Sequence, residues 1–251
     1  MSDFKAGVGI CTHRELRMKA HIGLRQLVKC TNPEISEINV DQDALISRSR
    51  SRVATHFLER TDYDILLFLD DDIVISTLDA TKLMWMCYKQ YPIIGGIYVT
   101  KSQDNPGLAA RPIQKNGEMV FGKNGGVYDM EYLSTGCLAV RREVIESMKN
   151  QSELIDIHHC VHGDYKYWSF FQQRDVIING IPEDTSEDWF FCNNASKLGY
   201  KIYADTTVML GHIGNYEFTV QDIPNFKNRV ISENVIIHYD SVHKDEAVKL
   251  K

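Results

Sequence analysis

Residues 65–72 read Ile-Leu-Leu-Phe-Leu-Asp-Asp-Asp, five apolar side chains in a row that stop in three carboxylates. An apolar run without polar alternation describes a strand covered on both faces, as in the middle of a parallel sheet. Covering both faces takes helices on both sides, which points to the α/β class with a Rossmann-like, mostly parallel central sheet. In open sheets of that class, ligands bind beyond the carboxyl ends of the strands, where Asp70, Asp71 and Asp72 stand. Adjacent carboxylates repel one another at neutral pH. A hard divalent cation, Mn2+ or Mg2+, is the usual compensation.

The flanking sequence supplies the expected alternation. Ala6 to Thr12 reads as a first strand, and Arg14 to Lys29 as a helix with Leu16, Ile22, Leu24, Leu27 and Val28 at helical spacing. Glu37 to Val40 reads as a second short strand. Ser47 to Arg60 reads as a helix with Val53, Phe57 and Leu58 on one side. After the acidic triplet, Thr77 to Gln90 reads as a helix with Leu78, Leu83, Met84 and Met86 inward, ended by Pro92. Ile93 to Val99 follows as a buried strand. Thr100 to Asp129 is polar and glycine-rich, with turn signals at Asn105-Pro106-Gly107 and Asn124-Gly125-Gly126, and reads as a mobile loop or irregular hairpin over the site.

Leu133 to Val140 reads as a strand interrupted by Ser134, Thr135 and Gly136, and Glu143 to Met148 opens another helix. Ser186 to Leu198 is a well-marked helix: Ser186 is the N-cap, Glu187 and Asp188 complement the dipole, and Gly199 stops it. Lys201 to Asp205 and Thr207 to Leu210 read as short strands before Gly211-His212-Ile213-Gly214. At 251 residues the chain is near the upper size for one core. One domain over 1–214 is expected, with 215–251 as a C-terminal extension, lid or flank.

With 28 basic and 34 acidic residues the net charge is -6, which argues against non-specific nucleic-acid binding. Neither a signal peptide nor an apolar run of membrane-spanning length stands out, so a cytoplasmic protein is expected. Six cysteines without a Cys-x-x-Cys pair read as reduced thiols and not as a disulfide framework.

Two clusters have two readings each. Arg48, Arg50 and Arg52 crowd the start of a helix, where cations oppose the dipole, and are either a solvated face or hands for phosphate. Asp156-Ile-His158-His159-Cys160-Val-His162-Gly-Asp164 is dense in metal-ligand types but lacks paired two-plus-two spacing. It reads either as a zinc site or as an acceptor-side loop, with Tyr165, Tyr167, Trp168, Phe170 and Phe171 packing or touching sugar.

Three features recur in order: Asp70 to Asp72 at a strand end, Glu187-Asp188 at a helix start, and His212 between two glycines. Singly they read as a loop, a cap and a structural histidine. In this order the chain resembles the inverting, metal-dependent glycosyltransferases of the GT-A fold, especially the large family 2, over roughly Ala6 to Gly214. The resemblance implies that Thr12 and Arg14, in Thr12-His13-Arg14, meet the nucleotide. Asp70-Asp71-Asp72 matches the Asp-x-Asp motif. Asp70 would then face the ribose or a metal-bound water, Asp71 would stand as its middle residue, and Asp72 would ligate manganese or magnesium at the diphosphate.

Arg48, Arg50 and Arg52 fall where relatives carry a cation near the phosphates, although Ser49 and Ser51 stand where the family often has Asn. Ser134-Thr135-Gly136-Cys137 matches a small-residue strand end lining the sugar and acceptor pocket. In Ser186-Glu187-Asp188-Trp189, resembling the Glu-Asp motif, Asp188 would take the acceptor's proton and Trp189 would offer an apolar platform. His212 would complete the metal's ligands, with Asp72 and Asp70. The implied partners are a nucleotide-sugar donor, a UDP- or GDP-sugar, and a glycan or other hydroxyl acceptor. Alternatives are a retaining enzyme on the same fold and a silent sugar-nucleotide-binding module. A nucleotidyltransferase would need a basic glycine-rich loop near Gly7-Val8-Gly9, and an aspartyl phosphatase would carry its motif in the first strand.

Overall fold

The computed structural model describes residues 3–11, 18–38, 43–151, 154–157, 166–178, 181–224 and 231–240. Its centre is an eight-stranded sheet in the order Glu34–Ile38, Lys5–Cys11, Ile65–Asp70, Cys137–Arg141, Ile93–Gly95, Ile202–Asp205, Val127–Leu133, Ala110–Pro112. Three neighbouring pairs are parallel and four antiparallel. All four antiparallel pairs involve Cys137–Arg141 or Val127–Leu133, so six of the eight strands run one way.

The strand Ile65–Asp70 behaves as its composition requires. Ile65, Leu67 and Leu69 join one buried cluster with Leu24 and Leu27 of the helix Met18–Leu27 and Ala80, Leu83, Met84 and Cys87 of the helix Thr77–Lys89. Leu66 and Phe68 join the other, with Val53 and Phe57 of Ile46–Arg60, Val144, Ile145 and Met148 of Arg142–Gln151, and Phe191 and Cys192 of Glu187–Lys197. Helices therefore cover both faces, as the α/β reading expected. Parallel register sets Cys11 beside Asp70, so both strands end at the same edge.

Several sequence expectations are corrected. Leu78 is 79% exposed, because Ser76 caps the helix through Asp79 N at 3.0 Å and leaves Leu78 in the first turn, outside the Ala80, Leu83, Met84, Cys87 stripe. Ile22 also faces outward. The stretch Thr100 to Asp129 is not simply a loop: it contains Ala110–Pro112, Asn116–Gly122 and the start of Val127–Leu133. Its glycines mark turns between strands, as at Gly122 with φ of +95°. Meanwhile Met119 and Phe121 alternate into the core opposite Val235 and Ile237 of Asn234–Asp240.

Thr207 to Leu210 is not a strand: the chain turns at Thr206 and Thr207, where Asp205 Oδ1 accepts from Thr207 N at 2.9 Å and from its hydroxyl at 2.7 Å. Beyond position 214, Phe218, Val220, Ile223, Val235 and Ile237 are buried in the same core as Phe121. No helix among the described residues is long and apolar enough to cross a membrane.

Candidate functional site

Three elements meet at one guanidinium. Arg50 is 2% exposed and lies in the second turn of Ile46–Arg60. Its Nη2 donates to Asp70 Oδ2 at 2.8 Å and Oδ1 at 3.1 Å, while Nη1 donates to Asp188 Oδ1 at 2.5 Å and Glu187 Oε1 at 2.7 Å. The same Asp188 oxygen also accepts the Thr135 hydroxyl. One positive charge thus faces three carboxylates, an excess of two negative charges when all are ionised.

Burial pushes Asp70 above its ordinary value, and the Asp188 charge adds to the rise while Arg50 opposes it. Glu187 is likewise raised, first by burial and then by Asp188. At Arg50 burial works against the charge, but Asp188 and Asp70 outweigh it and hold the guanidinium protonated.

Helical spacing decides which arginine reaches this cluster. Arg48 and Arg52 are four residues apart and share a face, whereas Arg50 is turned about 200° from Arg48. On the outer side Asp43 accepts from Arg48 Nε at 2.5 Å and Nη2 at 2.7 Å, with Arg52 Nη1 at 3.6 Å. Burial alone would raise Asp43, yet Arg48 and its other partners bring it below the usual carboxylate range. Asp43 also accepts from Leu45 N at 3.0 Å, so the crowded cations at this helix start have an anion beside them. Arg48 and Arg52 therefore lie apart from Asp70, with Asp43.

The chain turns through Asp71 and Asp72 into the short strand Ile73–Val74, which pairs with Gly211–Ile213. Ile73 is in register with His212, and Ile213 N donates to Asp72 O at 2.8 Å. That pairing brings His212 beside Asp72. His212 Nδ1 is 2.7 Å from Val99 O, so Nδ1 carries the proton and donates. Nε2 then faces Asp72 Oδ1 at 3.5 Å, and Lys101 Nζ caps Asp72 Oδ2. Burial works to raise Asp72, but hydrogen bonds from His212 and Lys101 outweigh it and bring the carboxyl down to about 2.

Between the two acidic groups sits Gly136. A Cβ there would lie 2.8 Å from Tyr98 Oη and 2.9 Å from Asp70 Oδ2, so glycine is required for the ring and the carboxylate to come this close. The Tyr98 ring also meets His212 edge-on, with centroids 4.8 Å apart. Burial, then Asp70 and Asp188, hold the Tyr98 hydroxyl well above its ordinary value, which keeps it a donor.

Asp70, Thr135, Gly136, Glu187 and Asp188 are thus brought together, with Asp72 and His212 joined to them through Tyr98. Trp189 is half-buried beside Asp188, its N donating to Ser186 Oγ at 3.3 Å in the helix cap, and Asp71 is half-buried in the turn. Thr12, Arg14 and the whole of 158–164 lie outside the described residues. Asp43, Tyr98 and Lys101 were not singled out by sequence. The i, i+4 spacing of Arg48 and Arg52 is the signal that would have separated Arg50 from its neighbours.

Compared with known proteins, the chain matches no described protein family and no curated protein sequence. Among solved structures it is similar to the crystal structure of A197 from STIV, with a TM-score of 0.53 and 18% identity over 84% of this chain and 86% of that one. The likeness is one of fold. The chain also overlaps the crystal structure of GalNAc-T7 with UDP, GalNAc and Mn2+, at a TM-score of 0.45 and 10% identity over 86% of this chain and 43% of that one. At that level the overlap does not bear on function. Among the described residues no three His, Cys, Asp or Glu side chains converge as a metal-binding group, and Asp72 with His212 makes a pair.

Proposed function

We propose that this protein moves a glycosyl group from a UDP- or GDP-sugar to an acceptor hydroxyl with inversion, with the help of manganese or magnesium. The observation that supports this reading is convergence: Arg50 ties the acidic strand end to the start of Glu187–Lys197, and His212 stands opposite Asp72.

The pair Asp72 and His212 fits a divalent cation. His212 Nδ1 is held by Val99 O, which leaves Nε2 on the Asp72 side, and an imidazole nitrogen beside a carboxylate oxygen is a donor set that suits manganese or magnesium once a cation takes the place of the proton between them. A cation held there would neutralise charge on the donor's diphosphate. Asp70, engaged by both oxygens with Arg50, is a donor contact before it is a ligand.

Asp188 is the base in this reading. Among the described residues both hydrogen bonds to its side chain fall on Oδ1, which fixes the carboxylate and leaves Oδ2 to take the acceptor's proton. As that proton leaves, the acceptor oxygen bonds to the anomeric carbon, the bond from that carbon to the diphosphate oxygen breaks, and the electron pair departs with the diphosphate. Gly136 lets the Tyr98 ring and Asp70 close on one another beside the sugar, in place of the open space expected of it from sequence, and Trp189 offers the apolar platform. Thr12 and Arg14 keep the nucleotide contact assigned to them from sequence.

The test is incubation with UDP-, GDP-, CMP- and dTDP-sugars plus manganese and a range of acceptors, following donor consumption and the anomeric configuration of the product. Inversion supports the proposal. Retention would assign Asp188 to orienting the acceptor, and donor binding without turnover on any acceptor would favour a silent sugar-nucleotide-binding module.

A further inference from the structure

Lys101 has no part in the mechanism above, yet its placement is specific. Its stem runs over Gly214, where a Cβ would lie 3.3 Å from Lys101 Cδ and 3.7 Å from Cγ, and its ammonium ends on Asp72 Oδ2. The segment that carries it is pinned at its root: Thr100 N donates to Gly107 O at 2.8 Å, Gly107 N to Thr100 Oγ1 at 3.0 Å, and Val99 bridges to Leu108. The stretch from Lys101 to Asn105 is mostly exposed, so the side chain starts from a fixed root and runs along the surface. Val99, one residue before that root, supplies the carbonyl that orients His212.

Asp72 therefore has a neighbour at each oxygen, an imidazole at Oδ1 and an ammonium at Oδ2. A divalent ion bound by Asp72 and His212 would lie within a few Å of that ammonium and be repelled by it. The side chains are 34% exposed at Lys101 and 21% at Asp72, so solvent screens the pair only in part.

We propose that Lys101 is a tethered counter-ion: it holds the cation's place on Asp72 in the empty site, yields Asp72 to a divalent ion, and then binds the diphosphate of the donor. The inference rests on the metal-dependent reading above. It makes metal and nucleoside diphosphate bind together better than either binds alone, since the displaced ammonium acquires a partner when the phosphates arrive.

Wild type, Lys101→Met and Asp72→Asn are each titrated with manganese alone, counting free ion by electron paramagnetic resonance, and then with UDP at saturating manganese by calorimetry. Methionine keeps the stem over Gly214 and removes the charge, and melting curves check that the fold is intact. Lys101→Met is expected to bind manganese alone about tenfold more tightly and UDP about tenfold more weakly than wild type. Equal manganese affinity in wild type and Lys101→Met, with Asp72→Asn still abolishing binding, overturns the role of Lys101 and leaves the metal site standing. An unchanged UDP affinity in Lys101→Met overturns the transfer to the diphosphate. Manganese binding indifferent to Asp72→Asn overturns the metal reading, and this inference with it.

Discussion

Asp188 Oδ1 accepts Arg50 Nη1 at 2.5 Å and the Thr135 hydroxyl as well, so the carboxylate of a 6% exposed residue is fixed through a single oxygen. A base needs this: a fixed direction and a remaining oxygen. Asp188→Asn keeps the size and an acceptor oxygen for both donors but takes up no proton. The variant is expected to bind donor as wild type does and to lose transfer by about 10²- to 10⁴-fold. Calorimetry with the donor, paired with a transfer assay, checks both halves; wild-type transfer would remove Asp188 from the base role.

Among the described residues Arg50 is the cation placed against Asp70, Glu187 and Asp188 together, and its loss leaves buried carboxylates facing one another. Arg50→Met is expected to cost about 3–5 kcal/mol in urea unfolding at neutral pH, the scale of a broken buried ion pair. Arg50→Lys restores the charge but not the fork that spans two elements, and should fall between the two. Burial already holds Asp70 and Glu187 above their ordinary values, so they protonate early as pH falls. The cost of Arg50→Met should therefore shrink between neutral pH and about 4, and a cost that stays constant would count against the charge argument.

What the sequence made legible was local or periodic. Five apolar residues ending in acid have one comfortable place in a fold, and Ser186, Glu187 and Asp188 describe a helix start by their own hydrogen bonding. The convergence of Asp70 with Asp188 followed only from a resemblance in order, because nothing local links residues that far apart. Lys101 and Tyr98 escaped for the same reason: their meaning comes from Asp72, His212 and Gly136, which strand pairing brings to them. The strand Asn116–Gly122 was hidden by its glycines, since its partner Asn234–Asp240 comes more than a hundred residues later. Leu78 misled because an apolar residue in a first helical turn need not face the core.

Gly136→Ala tests the close approach between the two acidic groups. Its methyl would meet Tyr98 Cε1 and Oη at 2.8 Å and Asp70 Oδ2 at 2.9 Å, and both groups are buried or nearly so. Overpacking of this kind typically costs about 1–3 kcal/mol. Thermal melting should show the loss, and donor affinity should fall with it because Asp70 is pushed off Arg50. Unchanged melting and binding would mean that Tyr98 moves aside freely and does not position the site.

Asp72 gives the pH prediction. Its carboxyl lies at about 2 against an ordinary 3.8, lowered by His212 and Lys101 against the effect of burial. A carboxyl depressed in the folded chain stabilises it above the unfolded value, and that contribution disappears as pH falls through the folded value. The difference of 3.8 minus 2 corresponds to roughly 2 kcal/mol at neutral pH, an upper figure for a side chain that solvent still reaches. In chelator-treated protein, Asp72→Asn should be less stable than wild type by up to that amount at pH 7. The gap should narrow from about pH 4 downward and close near pH 2. Urea unfolding of the two proteins across that range measures it, and a gap that persists at the acid end would show that Asp72 stabilises the chain by something other than its charge.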